Sequence, residues 1–236
     1  MKMKCKVIGK ENTENYLFLS VETSEIINVL PGQFFMVKTE DYDFPKPFSV
    51  IFQKGKVIEF LIAVVGDLTG RLKKLKIGDF IDIRGPYGKS FIETIDKNKK
   101  YILIGGDCGS APLMHFKNEY PELVENEYYG FRTNEIKSIL DTDKLHIDEE
   151  EGISVIERIK RENPSKNTGF LVCGSLNMIK AVKNEFKGYK VYASLEARMG
   201  CGVGMCKGCP IKTKDGIKMI CKDGPVFDLS EVDLEW

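Results

Sequence analysis

Four of the seven cysteines fall in one short stretch near the carboxyl end, as Cys201-Gly-Val-Gly-Met-Cys206-Lys-Gly-Cys209 followed by Cys221. Cys5, Cys108 and Cys173 are scattered through the preceding chain. An odd total with one local cluster points to metal ligation rather than a disulfide framework. The pattern C-x4-C-x2-C with a distant fourth cysteine is the spacing of a [2Fe–2S] ligand set, in which four thiolates converge on two irons, two on each. A loop folding over such a cluster carries the close-set ligands, and a later strand or turn carries the last. Gly200, Gly202, Gly204 and Gly208 lie between or beside the cysteines, where residues without Cβ can turn backbone N–H groups toward sulfur. Structural zinc more usually shows two C-x2-C pairs. Here the first spacing is four and no histidine is near, so iron–sulfur is the preferred reading and Cys201, Cys206, Cys209 and Cys221 are the expected ligands. Met199, Val203 and Met205 are expected to pack.

Composition narrows the partners. Among 236 residues, 35 Lys and Arg balance 35 Asp and Glu, whereas nucleic-acid binding needs a basic surplus. Nucleic acid is therefore not an expected partner. Hydrophobic residues at 42% and charged residues at 30% describe a globular chain able to bury a core without disulfide staples. No apolar run approaches the ~20 residues that span a membrane. The basic start Met1-Lys2-Met3-Lys4-Cys5-Lys6 is followed by no apolar segment of a signal peptide. A cytoplasmic protein without a membrane partner is expected.

The chain reads as three units. Up to about Ile95 it is β-rich: Phe34–Val37 and Lys56–Val65 carry β-branched and aromatic residues, with turn signals at Pro31-Gly32, Lys54-Gly55, Gly78-Asp79 and Gly85-Pro86-Tyr87-Gly88. One helical interruption, Thr69–Leu75, fits a small antiparallel barrel. From Tyr101 the rhythm alternates: strands at Tyr101–Ile104, Glu127–Phe131, Phe170–Cys173 and Lys190–Ser194, and helices near Ala111–Glu119, Ile153–Arg161 and Ser175–Phe186. Such alternation implies a parallel sheet with helices on its faces. The fold class is thus β followed by α/β, with a small Gly- and Cys-rich unit last.

Between the first of these strands and its helix lies Gly105-Gly106-Asp107-Cys108-Gly109-Ser110-Ala111-Pro112. A strand-to-helix turn of this kind favours phosphate, through backbone N–H groups and the helix dipole. It is not G-x-G-x-x-G, since residue 104 is Ile, and Asp107 puts a carboxylate near any pyrophosphate. From the residues alone, a tight turn and a nucleotide site stand equally open. The two histidines, His115 and His146, are expected at the surface, and Cys108 is expected to be small and buried rather than reactive.

Taken together, these residues resemble the electron transfer subunits of dihydroorotate dehydrogenase, within the wider ferredoxin–NADP reductase-like flavoproteins. The resemblance spans essentially the whole chain. Its most specific part runs from Ser194-Leu195-Glu196-Ala197-Arg198-Met199-Gly200-Cys201-Gly202-Val203-Gly204 through Cys206 and Cys209 to Cys221-Lys222-Asp223-Gly224-Pro225-Val226-Phe227. Lys46-Pro47-Phe48-Ser49-Val50, Gly85-Pro86-Tyr87-Gly88, Gly105–Leu113 and Cys173-Gly174 with Met178 match less specifically. The resemblance implies an FAD-binding antiparallel β-barrel (1–98), an NAD-binding parallel α/β domain (99–193) and a [2Fe–2S] domain (194–236). It implies FAD contacts at Lys46, Pro47, Phe48, Ser49, Leu61, Ile62, Ala63, Leu68 and Thr69, and a nucleotide turn at Gly105, Gly106 and Gly109. It also implies a partner, an FMN-containing catalytic subunit that oxidises dihydroorotate in pyrimidine biosynthesis, in a heterotetramer. Electrons would pass from that FMN through the cluster to FAD and NAD, with the chemistry carried by the cofactors and no catalytic side chain required.

Departures from the family pattern fall mostly where phosphate would lie. Lys46 stands for an Arg, a point charge in place of a bidentate fork. Ala63 ends a segment that usually ends in Arg, Leu68 replaces the Gly of a Gly-Thr pair, and Asp107 replaces the third Gly of the turn. These substitutions leave two other functions open: a related reductase module serving another dehydrogenase, or a flavin-free iron–sulfur scaffold.

Overall fold

In the computed structural model, which describes residues 2–147, 150 and 152–235, strand β1 (Lys2–Asn12) turns Met3, Cys5 and Val7 inward and leaves Lys2, Lys4 and Lys6 in solvent. This is the two-residue period of a half-buried strand. Strands β2 (Tyr16–Glu22), β3 (Phe34–Thr39), β4 (Lys46–Lys54), β5 (Val57–Ala63) and β6 (Phe80–Tyr87) follow. All pair antiparallel in the order β1-β2-β5-β4-β3-β6 and close into a barrel, which leaves no unpaired edge. Helix α1 (Asp67–Lys74) adds Leu68 and Leu72 to the barrel core. It begins two residues before the expected Thr69, because the Thr69 hydroxyl accepts the Val65 and Gly66 N–H groups, each at 3.0 Å, and so caps the helix from within its first turn.

A second layer begins with β7 (Tyr101–Gly106), followed by helix α2 (Ser110–Glu119), β8 (Val124–Phe131), β9 (Leu145–Ile147), β10 (Gly169–Cys173) and β11 (Val191–Ser194). These five strands are parallel, in the order β11-β10-β7-β8-β9. Every residue of β10, and all of β7 but Gly106, is buried, as strands covered on both faces require. Helices Val155–Glu162 and Leu176–Glu185 start where Ser154 and Ser175 accept the N–H groups of Glu157 (3.2 Å) and Met178 (3.3 Å). The first of these begins at Val155 rather than the expected Ile153 for that reason. The last segment forms a hairpin of β12 (Pro210–Thr213) and β13 (Gly216–Met219). It then returns as β14 (Val226–Asp228), antiparallel to β11 at the edge of the parallel sheet. The expected class of antiparallel barrel, parallel α/β sheet and small terminal unit is the one observed. Among the described residues no helix is long and apolar enough to cross a membrane.

Strand order reverses at β7, which has β8 on one side and β10 on the other. Ligands of open α/β sheets bind outside the carboxyl ends of strands at such a reversal. Here those ends are Gly105-Gly106 and Cys173-Gly174, and the barrel is packed close by, α2 touching β4 as well as β7 and β10.

Both histidines are buried, contrary to the surface positions expected for them. His115 lies on α2, which is enclosed between the sheet and the barrel, and helical spacing puts it beside Ala111 on the covered face. His146 lies in β9 and shares a 2.6 Å hydrogen bond with the Ile153 carbonyl oxygen. Burial pushes the His115 imidazole down to about 4 from an ordinary 6.5. The unfolded chain therefore takes up this proton first, and stability is lost as pH falls from about 6.5 toward 4. Urea denaturation between pH 7 and 4 is expected to show about 3 kcal/mol more acid destabilisation in the wild type than in His115→Leu.

Candidate functional site

The cysteine loop leaves the sheet at the end of β11 and returns at β14. Its base is closed by the Ser194–Val226 pairing and by the Leu195 N–H bonding the Pro225 carbonyl at 2.9 Å. Within the loop, the N–H groups of Cys206 and Val203 point at Cys201 Sγ (3.4 and 3.5 Å), that of Gly204 at Cys221 Sγ (3.1 Å), and that of Cys221 at Cys209 Sγ (3.5 Å). Gly202 has φ 79°, and a Cβ there would lie 2.8 Å from Met36 Cγ and 3.1 Å from the Tyr87 ring, so the loop rests directly on the barrel.

The N–H groups of Cys206 and then Val203 hold the Cys201 thiol down to about 6, while burial pushes Cys221 up to about 12. Cys206 acts on Cys201, while both Cys209 and Cys201 act on Cys221. Among the described residues no three His, Cys, Asp or Glu side chains converge as ligands of a single ion would. Four cysteines in one loop, three of whose sulfurs accept backbone N–H groups, suit the thiolate ligation of an iron–sulfur cluster. Met199 is buried as expected, but Val203 is 38% and Met205 83% exposed. The glycines facing the sulfurs and the barrel leave these side chains pointing outward.

A cavity of about 360 Å³ lies beside the loop, between the barrel and the carboxyl ends of the sheet strands. Lys46, Pro47, Phe48 and Ser49 of β4, Leu61, Ile62 and Ala63 of β5, and Leu68 and Thr69 of α1 all line it. Leu68 is 3% exposed and packs in the barrel core, so its side chain does not cover the α1 N-terminus. Phe48 both lines the cavity and packs against the barrel core. Among the described residues lining the cavity, Lys46 is the one cation. Arg71, one turn into α1, is held instead by Asp67 at 3.1 Å and by Asp41.

Gly105, Gly106 and Gly109 do not line this cavity; they sit behind it at the strand reversal. A Cβ at Gly109 would fall 2.5 Å from the Cys173 carbonyl oxygen, one at Gly105 2.6 Å from Ser110 Oγ, and one at Gly106 2.6 Å from Met178 Sδ. Their smallness lets neighbouring segments of the chain approach one another. Asp107 takes φ 49°, a left-handed value that a family Gly adopts freely. Its carboxylate accepts a 2.8 Å hydrogen bond from the Tyr16 hydroxyl of β2, which ties the turn to the barrel.

Four residues of this region escaped the sequence reading of the site. Tyr16 carried no signal, because only the fold brings it to Asp107. Cys108, half-buried rather than buried, lines the cavity with Cys173, Ser194 and Glu196. Ser194 and Glu196 stand in the most specific motif but carry no ligand type that would mark them. Burial pushes the Cys108 and Cys173 thiols up. Glu196 is exposed to solvent as well as lining the cavity, and partial desolvation there, and then the Asp107 charge, raise its carboxyl. Removing the Tyr16 hydroxyl in Tyr16→Phe is expected to cost about 2 kcal/mol in chemical denaturation, the worth of a hydrogen bond to a charged acceptor.

Two family models match the chain: the oxidoreductase FAD-binding domain over residues 2–92, and the iron–sulfur cluster binding domain of dihydroorotate dehydrogenase B over residues 196–233. The dihydroorotate dehydrogenase B (NAD(+)) electron transfer subunit of Clostridium perfringens is 34% identical, over 95% of this chain and 96% of its own. That of Clostridium acetobutylicum is 36% identical over 86% of each. Among solved structures, one of an NADH-dependent reduced ferredoxin-NADP oxidoreductase superposes with a TM-score of 0.84 at 25% identity, covering 98% of this chain and 90% of the other. The ferredoxin reductase of carbazole 1,9a-dioxygenase shares the fold, with a TM-score of 0.66 at 21% identity, over 80% of this chain and 65% of its own. With a barrel, a sheet and a four-cysteine loop all matched along nearly its whole length, the chain belongs to the family of dihydroorotate dehydrogenase B electron transfer subunits.

Proposed function

We propose that the protein is the electron transfer subunit of an NAD-linked dihydroorotate dehydrogenase, acting in the cytoplasm in pyrimidine biosynthesis. Its partner is an FMN-containing catalytic subunit, in a heterotetramer. One observation carries this reading: Ser194, Glu196, Ala197 and Met199 line the cavity, and Cys201 opens the ligand loop two residues later. The chain thus runs from a flavin-sized wall straight into the cluster ligands, both resting on one barrel. When bound, the [2Fe–2S] cluster exchanges single electrons and FAD converts them to pairs for NAD.

The units are 1–98, 99–193 and 194–236, with β14 of the third joining the sheet of the second. Cys201, Cys206, Cys209 and Cys221 hold the cluster. The Lys46 ammonium and the α1 N-terminus face the FAD phosphates, with Leu61, Ile62, Ala63, Leu68 and Thr69 as the surrounding wall. Pro47, Phe48 and Ser49 meet the ring, Ser49 offering a hydroxyl to its edge. Gly105, Gly106 and Gly109 serve the NAD nucleotide at the strand reversal. The Tyr16 bond to Asp107 offsets the carboxylate that the turn carries there.

A second reading is favoured by the ferredoxin-linked neighbour, which covers 98% of this chain: the same module working with a different dehydrogenase. Assays of the natively purified complex separate the two. Dihydroorotate-dependent reduction of NAD supports the first, and reduction of the flavin only by reduced ferredoxin supports the second. Cluster absorbance without flavin bands would support an iron–sulfur scaffold and sink both.

Cys206→Ser is expected to lose iron and inorganic sulfide and to abolish electron transfer between subunits, while far-ultraviolet circular dichroism of the barrel persists. Full iron content in that variant would remove Cys206 from the ligand set. Lys46→Ala is expected to weaken FAD retention roughly tenfold, about 1.4 kcal/mol, in a titration of the apoprotein. An unchanged FAD dissociation constant would contradict the phosphate role of Lys46.

A further inference from the structure

The cavity of about 360 Å³ is lined by Cys108 but stops short of Gly105, Gly106 and Gly109. Another part of the barrel lies across the carboxyl ends of β7 and β8, the turn Thr13-Glu14-Asn15 between β1 and β2, together with Tyr16. We propose that this turn is a strap closed over the nucleotide crevice, with Asp107 and Glu135 as the two clasps that an incoming dinucleotide must release. The proposal rests on the reading of Gly105, Gly106 and Gly109 as the nucleotide turn.

Each clasp joins one strand end to the barrel. Directly after β7, the Asp107 carboxylate accepts the Tyr16 hydroxyl at 2.8 Å. Shortly after β8, Glu135 accepts at both carboxylate oxygens. Its Oε2 takes the Glu14 and Asn15 N–H groups at 3.1 and 3.4 Å, and its Oε1 takes the Asn15 side-chain amide at 2.6 Å. Between the clasps the Tyr16 ring stands edge-on to Phe131, the last residue of β8, with centroids 5.7 Å apart.

The strap itself belongs to the barrel. The Asn15 carbonyl oxygen accepts the Val64 N–H at 2.8 Å, the Glu14 carbonyl oxygen accepts Lys73 Nζ of α1 at 2.9 Å, and the Thr13 N–H donates to the Tyr16 carbonyl oxygen at 2.9 Å. Release therefore breaks the clasps and the Tyr16–Phe131 contact while the strap stays folded. Both clasps are carboxylates, set where a ligand carrying a pyrophosphate would arrive. Barrel donors answer their charge in the closed state, whereas a pyrophosphate beside them is repelled. The ligand thus binds against the strap and against its own repulsion. The Glu135 bonds lie in solvent and Tyr16 is a neutral donor, so the clasps are weak enough to open and close.

Isothermal titration calorimetry of the full-length holoprotein with ADP-ribose, a redox-inert probe that carries the pyrophosphate, reads the cost of release. The double variant Asp107→Gly, Glu135→Ala keeps the turn unstrained, since Gly adopts φ 49° freely. It is expected to bind about tenfold tighter than the wild type, or to bind where the wild type does not. Hydrogen exchange separates an opened strap from a mere loss of charge: saturating ADP-ribose is expected to speed exchange at the Glu14 and Asn15 amides of the wild type. Wild-type binding that the double variant leaves unchanged or weakens would overturn the strap and leave the nucleotide reading intact. Wild-type binding without faster exchange at those amides would do the same. Binding to neither protein would overturn both.

Discussion

A loop carrying four ligands holds them in place only if both its ends are pinned, and here one short strand pairing does the pinning. Tyr192, Ala193 and Ser194 of β11 pair with Asp228, Phe227 and Val226 of β14, and all four cysteines lie in the loop between. The Lys190–Asp228 ion pair, 2.9 Å, closes the same ladder at its outer end. Ordering a glycine-rich segment costs roughly 1–2 kcal/mol per residue in backbone entropy. Buried contacts offset that cost: Ile211, Ile220, Cys209 and Cys221 belong to the same core cluster as Phe34 and Met36 of the barrel. The metal loop is thus built against both larger units and positioned by them.

The same ladder shapes the cavity. Ser194 ends β11 and Glu196 follows, so a segment whose conformation the sheet sets forms one wall while β4, β5 and α1 form the other. The strand reversal next to it is held closed by backbone approach, Gly109 against the Cys173 carbonyl, where any larger residue would displace the turn. Asp107 and Cys108 are carried into position by that contact. Lys46 and Ala63 line the cavity, whereas Asp107 lies outside it and is tied to the barrel by the Tyr16 hydroxyl.

Legibility differed by element for physical reasons. The barrel strands near Phe34–Val37 and Lys56–Val65 and the buried strands at 101–104 and 170–173 stood out because composition and burial coincide there. Ser175 marked its helix because a side-chain cap is a local interaction. Strand β9 and the β12–β13 hairpin carried no comparable signal, being short and largely stabilised by their neighbours. The histidines were misplaced because their burial depends on packing of α2 between two units and on the pairing of β9. Exposure of Val203 and Met205 was likewise invisible, since it follows from the direction in which the loop turns its glycines.

The sequence by itself determined the crowding of four cysteines into one short loop. Cysteine spacing, interleaved glycines and the motif leading into them point to an iron–sulfur cluster domain, which the match over residues 196–233 bears out, because ligand chemistry and short loop geometry are local properties. Alternation and turn chemistry likewise determined a barrel followed by a parallel sheet. Only the tertiary structure decided which groups share the cavity. Cys108, Ser194 and Glu196 line it beside residues of β4 and β5 far from them in sequence, and Tyr16 meets Asp107 at 2.8 Å from the other end of the chain. Distances of that kind exist only after the barrel has closed, the strand order has reversed and β14 has paired with β11.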